Sequence, residues 1–129
     1  EQSDIISIHA PELPSTYHIV NEASIASMKD GVILINTARG TAIDEQALAK
    51  ALLSGKIKTA CLDVYDPEPP CADNPLLKLD NCIMTPHIAG QAANGLQRIG
   101  YNCYCQLLHF LAGERMQGEI TRDMLNHIA

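Results

Sequence analysis

Three polar side chains in this sequence have types that could do chemistry together: Arg39, Glu68 and His87. Each comes just after a short apolar run typical of a strand, and these runs are residues 32–35, 60–64 and 82–84. Loops that leave the carboxyl ends of parallel strands share one edge of the sheet, where ligands bind. A guanidinium, a carboxylate and an imidazole at that edge can hold an anionic substrate and move its proton. The combination predicts an enzyme.

Four strands are needed to position these side chains, and the sequence predicts them from its apolar runs. Residues 4–11 are expected to form a buried strand, and residues 31–40 a strand buried on both faces. The third and fourth strands are residues 58–65 and 79–87. Between them lies an irregular stretch that carries four of the seven prolines.

Helical patterns alternate with these strands. The predicted helices cover residues 22–29, 45–55 and 92–113, and a short one starts near Thr121. Asn21 and Asp44 are suitable N-caps for the first two, and Gly55 is a suitable end for the second. Strands that alternate with helices pair in parallel through right-handed crossovers. The predicted fold class is therefore α/β with a parallel sheet.

Composition narrows the classes of function. The chain has 129 residues and a net charge of -6, and it lacks the basic clusters that bind nucleic acid. No apolar run approaches the ~18 residues that span a bilayer, so no membrane association is predicted. Five cysteines form an odd set without a CxxC pair, which favours reduced thiols, a cytoplasmic location and no zinc site. Because a strand follows almost directly after Glu1, we expect the chain to be a portion of a larger protein.

Five segments in register resemble one family. They are "SDIISIHAP", "MKDGVILINTARG", "DEQALAKALLSGKI", "CLDVYDPEP" and "NCIMTPHIAG", and the resemblance extends over about residues 3–113. Within them Arg39, Glu68 and His87 stand 29 and 19 residues apart. The order and spacing resemble the NAD-dependent D-isomer-specific 2-hydroxyacid dehydrogenases, which include D-lactate, glycerate and phosphoglycerate dehydrogenases.

The resemblance implies a division of the chain. Residues 1–95 would be the carboxyl-terminal half of the Rossmann-type NAD-binding domain, which has a doubly wound parallel sheet. Residues 96–129 would be a long helix and tail that return to a substrate domain. The phosphate-binding GxGxxG loop of the other half does not occur in this sequence. By the same resemblance the full-length protein would be a homodimer of the phosphoglycerate or glycerate dehydrogenase type.

The resemblance also gives the three side chains separate roles. His87 would be the acid/base for the 2-hydroxyl proton, a task that suits imidazole because it titrates near neutral pH. Glu68 would pair with it, which orients the imidazole and favours its charged form. Asp66 is a competing carboxylate, but the family places its acid directly before a proline, which selects Glu68. Arg39 would clamp the substrate carboxylate, although an arginine at a strand end can also be a structural ion-pair partner.

Cofactor contacts follow from the resemblance as well. The implied residues are Ala10, Pro11, Thr37, Ala38, Arg39, Asp63, His87, Ala89 and Gly90. Asp63 would accept a hydrogen bond from the nicotinamide carboxamide, and the small residues would let the backbone approach the ring. For Ala10 and Ala38, plain packing is an equal alternative.

Three functional hypotheses remain open. In the first, the parent protein transfers a hydride between NAD(H) and a D-2-hydroxy or 2-oxo acid. In the second, a co-regulator of the same fold uses NAD(H) binding to control assembly with partners. In the third, the chain in isolation is inactive because half of the cofactor site is absent. Both NAD and NADP, and more than one 2-oxo acid, are compatible with these residues.

Overall fold

Four parallel strands form one sheet in the computed structural model, which describes residues 1–91, 93–126 and 128. The strands are β1 (Ile5–Ile8), β2 (Val32–Asn36), β3 (Ile57–Leu62) and β4 (Cys82–Met84). They lie side by side in chain order, and every neighbouring pair is parallel. The predicted α/β class with a parallel sheet is confirmed. All four carboxyl ends therefore meet at one edge of the sheet.

Two helices connect the first three strands, and local sequence fixes their ends. Helix α1 covers Glu22–Ser27 and helix α2 covers Glu45–Ser54. Asn21 caps α1 by accepting hydrogen bonds from two backbone N–H groups, and Asp44 caps α2 in the same way. Gly55 ends α2 in the left-handed conformation, as predicted. Helix α1 stops earlier than the predicted residue 29 because Met28 is already extended.

The burial of β1 and β2 differs from the prediction. In β1 only Ile8 is fully buried, and Ile5 is 58% exposed, because β1 is an edge strand of this sheet. In β2 burial alternates, so Val32 and Leu34 are fully buried while the residues between them are only partly covered. The buried positions share one core with apolar residues of α2. A single face of the sheet is therefore fully packed, rather than both.

The chain divides into two compact units, residues 1–87 and 88–128. The second unit contains short 3-10 helices at Ala89–Gln91 and Arg122–Asn126 and the long helix α3 (Gly95–Leu111). Position 92, the predicted helix start, lies outside the described residues. None of the helices in the described ranges combines the length and apolar character that crossing a membrane requires. The predicted division into parts of two domains, at residue 95, stays a prediction.

Candidate active site

The loops that leave the four strands bring most of the predicted site residues to one edge of the first unit. Ala10 and Pro11 follow β1, Thr37, Ala38 and Arg39 follow β2, Asp63 and Glu68 follow β3, and His87 follows β4. Because the strands are parallel and adjacent, these loops all lie at the carboxyl edge. Ala89 and Gly90 belong to the second compact unit.

Glu68 and His87 form a direct pair at this edge. The Glu68 Oε2 atom lies 2.8 Å from His87 Nδ1, and both side chains keep contact with solvent. The hydrogen bond with His87, followed by one from the Tyr65 backbone N–H, lowers the pKa of the Glu68 carboxyl. The competing carboxylate, Asp66, is exposed, and the acid that pairs with His87 is Glu68.

The backbone around His87 holds its imidazole in one direction. His87 has a φ of 53°, in the left-handed region that non-glycine residues rarely adopt. Its N–H donates to the Thr85 carbonyl oxygen at 3.0 Å across Pro86. With Nδ1 engaged by Glu68, the remaining ring nitrogen, Nε2, is the atom that can meet a substrate proton. A cleft of about 320 Å³ adjoins the pair and is lined by Tyr65, Glu68, His87 and three prolines.

The loop that carries Arg39 is fixed by Asn36, which is not among the residues predicted from the sequence. Asn36 is 0% exposed. Its Oδ1 accepts the Ala38 N–H at 3.0 Å, and its Nδ2 donates to the Arg39 carbonyl at 2.8 Å. An amide buried at the end of an apolar strand needs such partners, because an unpaired one would cost ~1–3 kcal/mol. The signal in the sequence was a single polar residue closing the run "VILIN".

The Arg39 guanidinium itself is only loosely held. Its Nη1 donates to the Ala38 carbonyl at 2.7 Å, and its Nε lies 3.8 Å from Glu12 Oε2. The side chain is 44% exposed, and Glu12 is exposed to a similar degree. Exposed pairs at this distance contribute little stability. The ion-pair alternative for Arg39 is thus present but weak, and the guanidinium remains accessible to an anion.

Gly40 allows two of these loops to come close together. A Cβ built at Gly40 would lie 1.9 Å from the carbonyl oxygen of Tyr65, far inside any real contact. Gly40 does not have a positive φ, so its role is clearance for the neighbouring backbone rather than a left-handed turn. The loop after β2 and the loop after β3 are therefore packed backbone to backbone.

Asp63 is the most enclosed of the predicted cofactor residues. It is 3% exposed, and its Oδ1 accepts a hydrogen bond from the Thr85 hydroxyl. Its backbone N–H donates to the Asn36 carbonyl at 2.9 Å. Asp63 therefore ties the ends of β2, β3 and β4 together, in addition to any contact that it makes with a ligand.

The two ends of a dinucleotide place different demands on this edge of the sheet. Ala10 and Ala38 are small, partly buried and packed against the core, so they add little bulk beside the strand ends. Pyrophosphate is usually held by a glycine-rich loop at a helix N-terminus, and the sequence has no GxGxxG motif. Of these two ends, the flat ring is the one that small residues at the strand ends could accommodate.

Known proteins support a family assignment. Residues 1–89 match the family described as "D-isomer specific 2-hydroxyacid dehydrogenase, NAD binding domain". The chain is 51% identical over 102 residues to a hydroxypyruvate reductase of Thermotoga maritima, an alignment covering 78% of this chain and 33% of the relative. It is 47% identical over 98 residues to a D-3-phosphoglycerate dehydrogenase of Archaeoglobus fulgidus, covering 76% of this chain and 19% of the relative. The chain thus spans a third or less of these two relatives.

Solved structures agree with the sequence match. The holo form of D-mandelate dehydrogenase from Rhodotorula graminis superposes with a TM-score of 0.81 at 33% identity, covering 93% of this chain and 36% of that one. An NAD-complexed D-isomer specific 2-hydroxyacid dehydrogenase from Lactobacillus delbrueckii ssp. bulgaricus gives a TM-score of 0.80 at 32% identity, covering 93% and 40%. The predicted Rossmann-type fold is confirmed, and the chain belongs to the D-isomer specific 2-hydroxyacid dehydrogenase family, with residues 1–89 in its NAD-binding domain.

Proposed function

We propose that this chain is part of an enzyme that transfers a hydride between NAD(H) and a D-2-hydroxy acid or its 2-oxo acid. The observation that carries the proposal is the 2.8 Å contact between His87 Nδ1 and Glu68 Oε2 at the carboxyl edge of the sheet. A paired imidazole and carboxylate form a proton-transfer unit whose second ring nitrogen is available to a substrate. The family assignment supports the same reaction.

His87 is the acid/base in this proposal. In the oxidation, its Nε2 accepts the proton of the 2-hydroxyl as the hydride leaves the neighbouring carbon; in the reduction, Nε2 returns that proton to the oxygen. NAD, when bound, supplies the hydride acceptor. The Glu68 carboxylate stabilises the imidazolium that forms, and the lowered pKa of Glu68 keeps this carboxylate charged at neutral pH.

Arg39 is the substrate clamp. Its guanidinium fork matches a carboxylate and can form two parallel hydrogen bonds with it. Asn36 supports this role because its amide fixes the Ala38 N–H and the Arg39 carbonyl, while the Arg39 side chain stays 44% exposed and within reach of a ligand. The weak contact with Glu12 is one that a substrate carboxylate can replace.

The cofactor contacts are carried over from the family. In this proposal Ala10, Pro11, Thr37, Ala38, Asp63, Ala89 and Gly90 line the nicotinamide end, together with Arg39 and His87. Support comes from the positions of those residues that lie at the carboxyl edge of the first unit. The pyrophosphate end requires a segment that this sequence does not contain.

The isolated chain is therefore expected to be inactive. Calorimetry with NADH on the 129-residue chain should give no measurable binding, because the ring end alone contributes only part of the affinity. Tight binding would show that the glycine-rich segment is dispensable. We also propose that the complete protein is cytoplasmic and forms a homodimer. A monomer in analytical ultracentrifugation would contradict the homodimer.

The decisive experiment is a turnover assay on the complete protein. NADH and NADPH are each tested against hydroxypyruvate, glyoxylate and other 2-oxo acids, with His87→Ala as the matched variant. We expect turnover in the native protein and a loss of several orders of magnitude in kcat for His87→Ala, with NADH binding retained. Unchanged turnover in the variant would refute the acid/base role. NADH binding without hydride transfer to any acid would favour the NAD(H)-sensing co-regulator instead.

A further inference from the structure

Tyr65 occupies an unusual position beside the Glu68–His87 pair. Its side chain is 8% exposed, between the ends of β3 and β4. The phenol oxygen lies 2.6 Å from the Thr85 carbonyl oxygen and 2.9 Å from the Leu62 carbonyl oxygen. A phenol has a single proton, so it donates mainly across the shorter contact to Thr85. Burial raises the pKa of the Tyr65 phenol, so it remains a donor throughout the neutral range.

The Thr85 carbonyl also controls the backbone of His87. It accepts the His87 N–H at 3.0 Å, so one carbonyl oxygen receives both this N–H and the Tyr65 hydroxyl. His87 adopts a φ of 53°, which is unfavourable for a residue with a Cβ and persists only where the surroundings hold it. The direction of the imidazole thus depends on where the Thr85 carbonyl is held.

Tyr65 reaches the other member of the pair through its backbone. Its N–H donates to Glu68 Oε1 at 3.0 Å, while Glu68 Oε2 meets His87 Nδ1 at 2.8 Å. Both oxygens of the Glu68 carboxylate therefore have a hydrogen-bond partner, one in Tyr65 and the other in His87. Tyr65 thus contacts Glu68 directly and is linked to the His87 backbone through the Thr85 carbonyl.

We propose that Tyr65 is a positioning residue for the acid/base pair, acting through its hydroxyl on the backbone of His87 and through its N–H on Glu68. The expected effect on kcat rests on the proposed dehydrogenase function. The orientation of His87 and Glu68 by Tyr65 does not depend on that function. A phenylalanine would fill the same space, so the hydroxyl is the group whose contribution can be isolated.

The test is Tyr65→Phe in the complete protein. We expect kcat to fall roughly tenfold, since one buried hydrogen bond that holds a reacting group is lost, with KM for NADH unchanged. In proton NMR, the His87 Nδ1–H signal bonded to Glu68 should broaden as the pair loosens. The control is Asn81→Ala, which removes hydrogen bonds to Leu52 and Lys58 carbonyls at the opposite, amino-terminal edge of the sheet. It should lower stability and leave kcat unaltered.

A double-mutant cycle separates positioning from general weakening of the fold. If Tyr65 acts through the pair, Tyr65→Phe should lower kcat by a much smaller factor in a Glu68→Gln background than in the native protein. Full additivity, or native kcat and a native Nδ1–H signal in Tyr65→Phe, would overturn the proposal. If the native protein reduces no 2-oxo acid, the dehydrogenase assignment fails, and the NMR signal alone then decides the role of Tyr65.

Discussion

Gly40→Ala is expected to lower stability more than any other glycine-to-alanine substitution in the first unit. The new Cβ would lie 1.9 Å from the Tyr65 carbonyl oxygen and 2.0 Å from the carbonyl carbon. Comfortable contacts between non-bonded heavy atoms begin near ~3.5 Å, so one of the two loops must move by about 1.5 Å. Neither loop moves freely, because Asn36 holds the first and the Tyr65 hydroxyl holds the second.

The loss of folding free energy expected for Gly40→Ala follows from this rigidity. Overpacking typically costs ~1–3 kcal/mol, and a clash with backbone belongs at the upper end or beyond. For a unit of this size, ~3 kcal/mol corresponds to a fall of about 12–24 °C in Tm. The assay is thermal unfolding of the 129-residue chain, followed by far-UV circular dichroism. In the complete protein the same change should also lower turnover, because it displaces Tyr65 and with it Glu68.

Gly55→Ala is the matched control. Gly55 has a φ of 78°, yet no atom lies within 4 Å of a Cβ built there. The change therefore introduces backbone strain of ~1–2 kcal/mol without a clash, at the end of α2 and away from the site. If Gly40→Ala lowers Tm no more than Gly55→Ala does, the two loops are not packed backbone to backbone.

Three further predictions concern charge. Because the pKa of Glu68 is lowered in the folded state, its stabilisation is present above the ordinary carboxyl pKa of ~4.3 and is lost as the pH falls through the lowered value. Glu68→Gln should remove this part of the pH dependence of the free energy of unfolding. The contribution is below about 1 kcal/mol, because the pair with His87 is partly exposed. Urea unfolding between pH 2 and 5 measures it, and an identical pH profile in the variant would contradict the prediction. Burial raises the pKa of the Cys82 thiol to about 11 from 9.0, so mass spectrometry should find it alkylated about a hundredfold more slowly than an ordinary thiol at pH 8. Glu12→Gln removes a competing carboxylate from Arg39 and should lower KM for the 2-oxo acid by up to about fivefold with kcat unchanged; a raised KM would show that Glu12 assists binding.

Much of the framework could be predicted because it depends on short-range rules. Caps such as Asn21 and Asp44 bond to N–H groups two and three residues away, so the local sequence suffices to place them. Apolar runs mark the strands, and the parallel pairing follows from their alternation with helices. That pairing alone brings Arg39, Glu68 and His87 to one edge.

Burial and element ends were less predictable. Residues 4–11 are as apolar as a buried strand, yet β1 lies at the edge of the sheet and leaves Ile5 mostly exposed. An apolar run shows that a segment prefers to be covered, but not which of its faces another element covers. The early end of α1 at Ser27 likewise depends on the extended conformation of Met28.

The sequence by itself determined which side chains could do the chemistry and which edge of the sheet would present them. Tertiary structure alone decided how they are held. The Tyr65 hydroxyl meets a carbonyl 20 residues away, and Gly40 makes room for the backbone of Tyr65. Such contacts join loops that are distant in the chain, and no local pattern encodes a distance across space. The residue types of the site are therefore readable in the sequence, whereas its geometry exists only once the strands have paired.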